Sequence, residues 1–92
     1  MVVVLSPANG LRTRNHTITL WVNFSEPPSK LCLRQSRRFS LECQQPTQNV
    51  TLHNDRDGHF TAELRAVDRV GNVQSNATFF SWEIDTSKFP FI

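Results

Sequence analysis

Thr17-Ile18-Thr19-Leu20-Trp21-Val22-Asn23-Phe24 is the stretch that decides the fold. Ile18, Leu20, Val22 and Phe24 alternate with Thr17, Thr19, Trp21 and Asn23. A period of two belongs to a strand with one face on a core. The aliphatic set is expected to point inward, which turns Trp21 and Asn23 outward. A second alternation covers 59–67, with Phe60, Ala62, Leu64 and Ala66 inward and Thr61, Glu63, Arg65 and Val67 outward. A third covers 78–84, with Phe80, Trp82 and Ile84 inward and Phe79, Ser81 and Glu83 outward. Shorter runs at 2–5, 31–33, 39–42 and 48–53 also read as strands. Clusters of turn residues separate them: Ser6-Pro7-Ala8-Asn9-Gly10, Ser25-Glu26-Pro27-Pro28-Ser29, Asn54-Asp55-Arg56-Asp57-Gly58 and Asp68-Arg69-Val70-Gly71-Asn72. No window carries a helical period. The pattern predicts an all-β chain, an antiparallel β-sandwich of about seven strands. One domain over 1–86 is expected, with 87–92 beginning a linker.

The compartment is the next thing the residues state. Four N-glycosylation sequons are present: Asn15-His16-Thr17, Asn23-Phe24-Ser25, Asn49-Val50-Thr51 and Asn76-Ala77-Thr78. They take four of the seven Asn residues, where chance at this Ser and Thr content would give about one. The motif marks a surface Asn in a secreted protein, because the glycan is bulky and polar. Asn-x-Thr is also common in β-proteins for the strand propensity of Thr, which is the competing reading. We take the chain as extracellular, secreted or on the cell surface, and eukaryotic. Cys32 and Cys43 fit that compartment, and an even count outside the cell suggests a bridge. Ten residues between them suit two antiparallel strands joined by a hairpin; two buried free thiols are the alternative.

Composition excludes several classes. Ninety-two residues with a net charge of +2 make one small domain with no electrostatic case for nucleic acid. The longest apolar run, Val2-Val3-Val4-Leu5, is far too short to span a bilayer. A membrane would be met only through a parent protein, since the chain reads as a domain out of a longer one without a leader of its own. His16, His53 and His59 lack any nucleophile pattern or metal spacing. Glu63 and Glu83 could face each other on neighbouring strands, yet glycoside chemistry needs a cleft. A calcium loop starting at His53 fails, because Leu64 stands where an acid is required. Asp85 could still share a calcium ion with a following repeat. The expectation is no enzyme, no cofactor and no metal. Candidate contact residues are the outward Trp21 and Phe79, and the cations Arg34, Arg37 and Arg38, which are expected in one polar loop at a hairpin tip.

The second half resembles a known family. Asp57-Gly58-His59-Phe60-Thr61-Ala62-Glu63-Leu64-Arg65-Ala66-Val67-Asp68-Arg69-Val70-Gly71-Asn72-Val73 is similar to a recurring line of extracellular Ig-like repeats, D-G, a strand, then R-A-x-D-x-x-G-N-V. Trp82-Glu83-Ile84-Asp85-Thr86 continues that line. These tandem repeats are classed as bacterial-type Ig-like or fibronectin-III-like domains. The resemblance implies an Ig-like fold and a Cys pair around a hairpin at Cys32 and Cys43. It implies a repeat module of a cell-surface or secreted protein and names no ligand, because such repeats do several jobs. The short polar side chains of Asp68 and Asn72, and the freedom of Gly71 to take a positive φ, give these three a structural role in the turn. Our own expectation is a role in cell adhesion or protein recognition, with a protein or neighbouring repeats as partner. A spacer repeat, or an accessory domain of an extracellular enzyme, is the alternative. A filamin-type repeat is the alternative fold label, which a disulfide argues against.

Overall fold

The computed structural model describes residues 1–35 and 41–86. Eight strands are present among them: β1 Val2–Ser6, β2 Leu11–Thr13, β3 Thr17–Phe24, β4 Lys30–Gln35, β5 Glu42–Gln44, β6 Asn49–His53, β7 Gly58–Val67 and β8 Thr78–Ile84. They form a three-stranded sheet of order β1-β3-β6 and a five-stranded sheet of order β2-β8-β7-β4-β5. The two sheets pack face to face as the expected all-β, Ig-like sandwich. The expected linker at 87–92 lies outside the described residues.

The two inner faces are the alternating apolar sets. Ile18, Leu20, Val22, Val50 and Leu52 come from the smaller sheet, and Phe60, Ala62, Leu64, Phe80, Trp82 and Ile84 from the larger. Residues of one sheet face alternate along each strand, so these sets meet without any polar side chain between them. On β7 and β8 Phe60 opposes Trp82, ring on ring, and the small Ala62 opposes Phe80. Trp82 packs on both phenylalanines, with centroids 5.6 Å from Phe60 and 5.8 Å from Phe80. The small Ala62 leaves room for the fully buried Phe80 ring.

Strand β2 was not expected. The sequence reads 6–10 as a turn, and Leu11-Arg12-Thr13 is too short to show a period. In the structure the first segment changes sheet. β1 pairs antiparallel with β3, and β2 lies parallel to β8, with Leu11 opposite Trp82 and Thr13 opposite Ile84. The turn between them is tied to β8. Gly10 takes a φ of 87°, its N–H donates to the Ser81 carbonyl at 2.7 Å, and the Asn9 Oδ1 accepts from the Ser81 N–H at 2.8 Å. The β2–β8 pair thus adds one parallel rung set to an otherwise antiparallel sandwich, and it covers the edge that β8 would expose.

Two further differences follow from side-chain cover. Glu63 and Val67 obey the outward parity of β7, yet both are buried. Val67 lies under the loop after β7, where it bridges to Val73. Glu63 is covered by arginines described below.

Gln74 joins the two sheets. Its Oε1 accepts from the Val2 N–H at 3.0 Å and the Ala66 N–H at 3.3 Å. Its Nε2 donates to the Asn76 carbonyl at 2.6 Å and to Thr78 Oγ1 at 3.1 Å. Thr78 Oγ1 in turn donates to the Val2 carbonyl. One carboxamide therefore satisfies groups of β1 in one sheet and of β7 and β8 in the other. Removing it strands half-buried amides, and such losses cost about 1–3 kcal/mol. Gln74→Ala is expected to lower the urea unfolding free energy by about that amount, read from tryptophan fluorescence; no change would mean that water replaces the carboxamide at no cost.

Candidate binding faces

The outer face of the five-stranded sheet is built in rungs. Pairing places Arg12 opposite Glu83 and Glu83 opposite His59. The next outward rung is Ser81 and Thr61, and the one after is Phe79, Glu63 and Arg34. Beyond it come Arg65, Cys32 and Cys43, and then Val67 with the exposed Lys30. Phe79 stands 58 % exposed in this charged surrounding.

Glu63 is the hub. It is only 8 % exposed. Its Oε1 accepts from Arg34 Nε at 3.0 Å and from Arg34 Nη2, and its Oε2 accepts from Arg65 Nε at 2.7 Å. Donation from Arg65 first, then Arg34, holds the carboxyl below the usual glutamate range. A carboxylate this enclosed needs such partners. Arg65 also donates through Nη1 to the carbonyls of Gln74 and Ser75, at 2.7 and 2.9 Å, so it anchors the loop that leads to Asn76.

Arg34 is therefore not part of the expected hairpin-tip loop. It lies in β4, and its charge is spent on Glu63. Arg37 and Arg38 lie outside the described residues. At the other end of the face Arg12 Nη2 meets Asp85 Oδ2 at 2.8 Å, and this bond, with the charge of Glu83, raises the Arg12 pKa. Three arginines, Arg12, Arg34 and Arg65, thus stand with three acids, Glu63, Glu83 and Asp85. Arg12 and Arg34 meet acids across the strand pairs, and Arg65 meets Glu63 from two residues along β7; the exposed Lys30, on the same face of β4, adds a positive charge at its edge.

Cys32 and Cys43 form a disulfide across one rung of β4 and β5. It closes within one sheet, unlike the inter-sheet bridge of antibody domains. Cys32 is buried and Cys43 exposed, so the bond fixes the three-residue edge strand β5 to the sheet.

The outer face of the three-stranded sheet differs. Trp21, 49 % exposed, lies there with Val3 and Leu5 from the edge strand β1. Asn49 is the direct register partner of Trp21, and Val3 that of Asn23. Asn23 and Asn49 are both exposed. Asn15 and Asn76 sit in loops at opposite ends of the sandwich, beside His16 and Gln74 respectively. No sequon Asn stands in a strand of the five-stranded sheet.

Other expected sites are separated by the fold. Glu63 faces Phe79 and Glu83 faces His59, so the two carboxylates do not meet. His53 is in the three-stranded sheet, bonded to Thr17 Oγ1 at 2.7 Å and Asp55 at 2.8 Å, whereas His59 is in the five-stranded one. Asp68 accepts from the N–H groups of Val70 and Asn72 at 3.0 and 2.8 Å, with Gly71 at a φ of 92°, which is the turn role expected of it. The Asn72 N–H does most to lower the Asp68 pKa. Asp57 accepts from Thr86 N–H and Oγ1, and the former lowers its pKa most. Among the described residues no group of three or more His, Cys, Asp or Glu side chains could hold a metal ion.

Glu63 predicts a pH dependence. Its folded pKa lies below the unfolded one, so the stabilisation is full above about pH 4.3 and is lost as pH falls through the lowered value. The stability gap between the native chain and Glu63→Gln is expected to be open at about pH 6 and to narrow toward about pH 3. A gap that stays constant would take the titration away from Glu63. Reduction of Cys32–Cys43 is expected to lower the unfolding midpoint, with about 3 kcal/mol at stake for a loop of this size. An unchanged midpoint after both thiols titrate would show that the bond constrains nothing. Comparison with family models, curated proteins and solved structures finds no match to this chain, so function is argued from these faces.

Proposed function

We propose that this chain is a non-enzymatic, glycosylated extracellular Ig-like module of a larger surface or secreted protein, and that it recognises a protein through the outer face of the five-stranded sheet. The observation that carries the reading is the distribution of sequons. Asn23 and Asn49 share the outer face of the three-stranded sheet, Asn15 and Asn76 take the two ends, and the strands of the five-stranded sheet carry none. Glycans block contact, so the free face is the one left for a partner. That face offers Phe79 as an exposed aromatic anchor among ion pairs, the composition of an interface with an apolar centre and a polar rim.

The Asn side chains support the glycosylation part. Asn54 and Asn72 donate their Nδ2 to Gln35 and Asp68, and Asn9 caps the Ser81 N–H. Among the described residues none accepts a hydrogen bond from the Nδ2 of Asn15, Asn23, Asn49 or Asn76. Among the described residues the attachment nitrogen is therefore open at the four sequons. The disulfide is consistent with an oxidising compartment. The likeness of 57–73 to tandem extracellular repeats points the same way.

A spacer role is the second reading. Val2 pairs with Phe24 at one end, and Ile84 meets Gly58 and Thr13 at the other. The described chain thus enters and leaves at opposite ends, as a link in a row of repeats would.

A bead-aggregation assay separates the two. The chain, secreted from a glycosylating host, is coupled to beads alone and with its neighbouring repeats. Clumping that Phe79→Asp abolishes, at unchanged folding, is the expected result. Clumping indifferent to Phe79→Asp would move the contact off this face, and no clumping at all would leave the spacer reading.

A further inference from the structure

The exposed apolar patch on the smaller sheet needs an occupant, and the register supplies one. Trp21 has two sequon asparagines as its immediate neighbours. Asn49 is opposite it on β6, and Asn23 is two residues along β3 on the same face. Directly opposed side chains in an antiparallel pair have Cβ atoms about 5 Å apart, and same-face neighbours on one strand about 7 Å. Both lie within reach of an indole ring. Val3 flanks Asn23 from β1, so the apolar surface runs on beneath that attachment point. Neither Nδ2 is engaged by a described residue.

We propose that Trp21 is the platform on which the first N-acetylglucosamine of the Asn23 and Asn49 glycans packs. A β-linked N-acetylglucosamine has an apolar face of ring C–H bonds and an acetyl methyl group. The π-face of an indole is its natural partner, since burying both removes apolar area from water. The contact gives the smaller sheet a covered outer face made of the chain's own sugar. Trp21 is then a glycan-packing residue and not a protein anchor, which reassigns one of the candidates read from the sequence. This inference rests on the glycosylated extracellular reading above.

The two tryptophans provide a direct test. Trp82 is 2 % exposed, so acrylamide quenching of the folded protein reports on Trp21. The chain is secreted from a glycosylating host beside a Ser25→Ala/Thr51→Val variant, which keeps both asparagines and loses both sequons. Mass spectrometry records occupancy at each Asn. The quenching constant is expected to rise about twofold in the variant, as roughly half of the exposed indole area returns to water. The single variants assign the contact to one sugar or to both. Nuclear Overhauser contacts between the Trp21 ring and an acetyl methyl group, measured on the unaltered glycoprotein, give the same answer with no variant that must fold. Glycans present at Asn23 and Asn49 with unchanged quenching and no such contacts would overturn the platform and leave the extracellular reading intact. Unoccupied sequons in the secreted chain would overturn both.

Discussion

The register between β7 and β8 is the constraint on which the rest of the molecule depends. It sets Phe60 against Trp82 and Ala62 against Phe80, so three large rings share one layer without collision. A slip of one residue would turn Phe80, Trp82 and Ile84 outward and present Phe79, Ser81 and Glu83 to the core. The same register decides the opposite face. With Phe80 and Trp82 committed inward, Phe79 must stand beside Glu63, and Glu83 beside His59. Core and candidate binding face are two sides of one pairing.

Glu63 shows how that pairing passes a cost to the next strand. The carboxylate sits on the outer face, yet the long side chains around it exclude most water. An enclosed charge without partners would be expensive, and two arginines supply them, Arg34 from β4 and Arg65 from two residues along β7. Arg65 then reaches the loop before β8 through two carbonyls. Gln74, in the same loop, crosses to β1 in the other sheet. A chain of polar contacts therefore runs from the centre of one outer face to the edge of the opposite sheet. Each link satisfies groups that the β-sandwich would otherwise leave bare.

The two outer faces have diverged in chemistry. One has paired charges, a disulfide at its edge and one exposed ring. The other has threonines, an apolar patch and two sequon asparagines. On the reading proposed here the first is the working surface, and the second is covered by sugar. Such a division suits a small module, because 92 residues leave few surfaces to spare.

Much of this was legible in the residues alone. Period-two alternation gave β3 and β8 their bounds, since an inward–outward pattern over seven or eight residues has no helical counterpart. It also turned Trp21 and Phe79 outward, and the spacing of Cys32 and Cys43 suited the hairpin they close. The short β2 was illegible, because three residues show no period and its partner is parallel and distant in sequence. Arg34 was read as a loop cation for a similar reason. Its strand and its acid are set by the β4–β7 register, a pairing across 29 positions that no local pattern encodes. The sequons were plain in the sequence, but their grouping on one face was not. Local alternation tells each side chain which way to point, and only the order of strands in the sheets decides which side chains become neighbours.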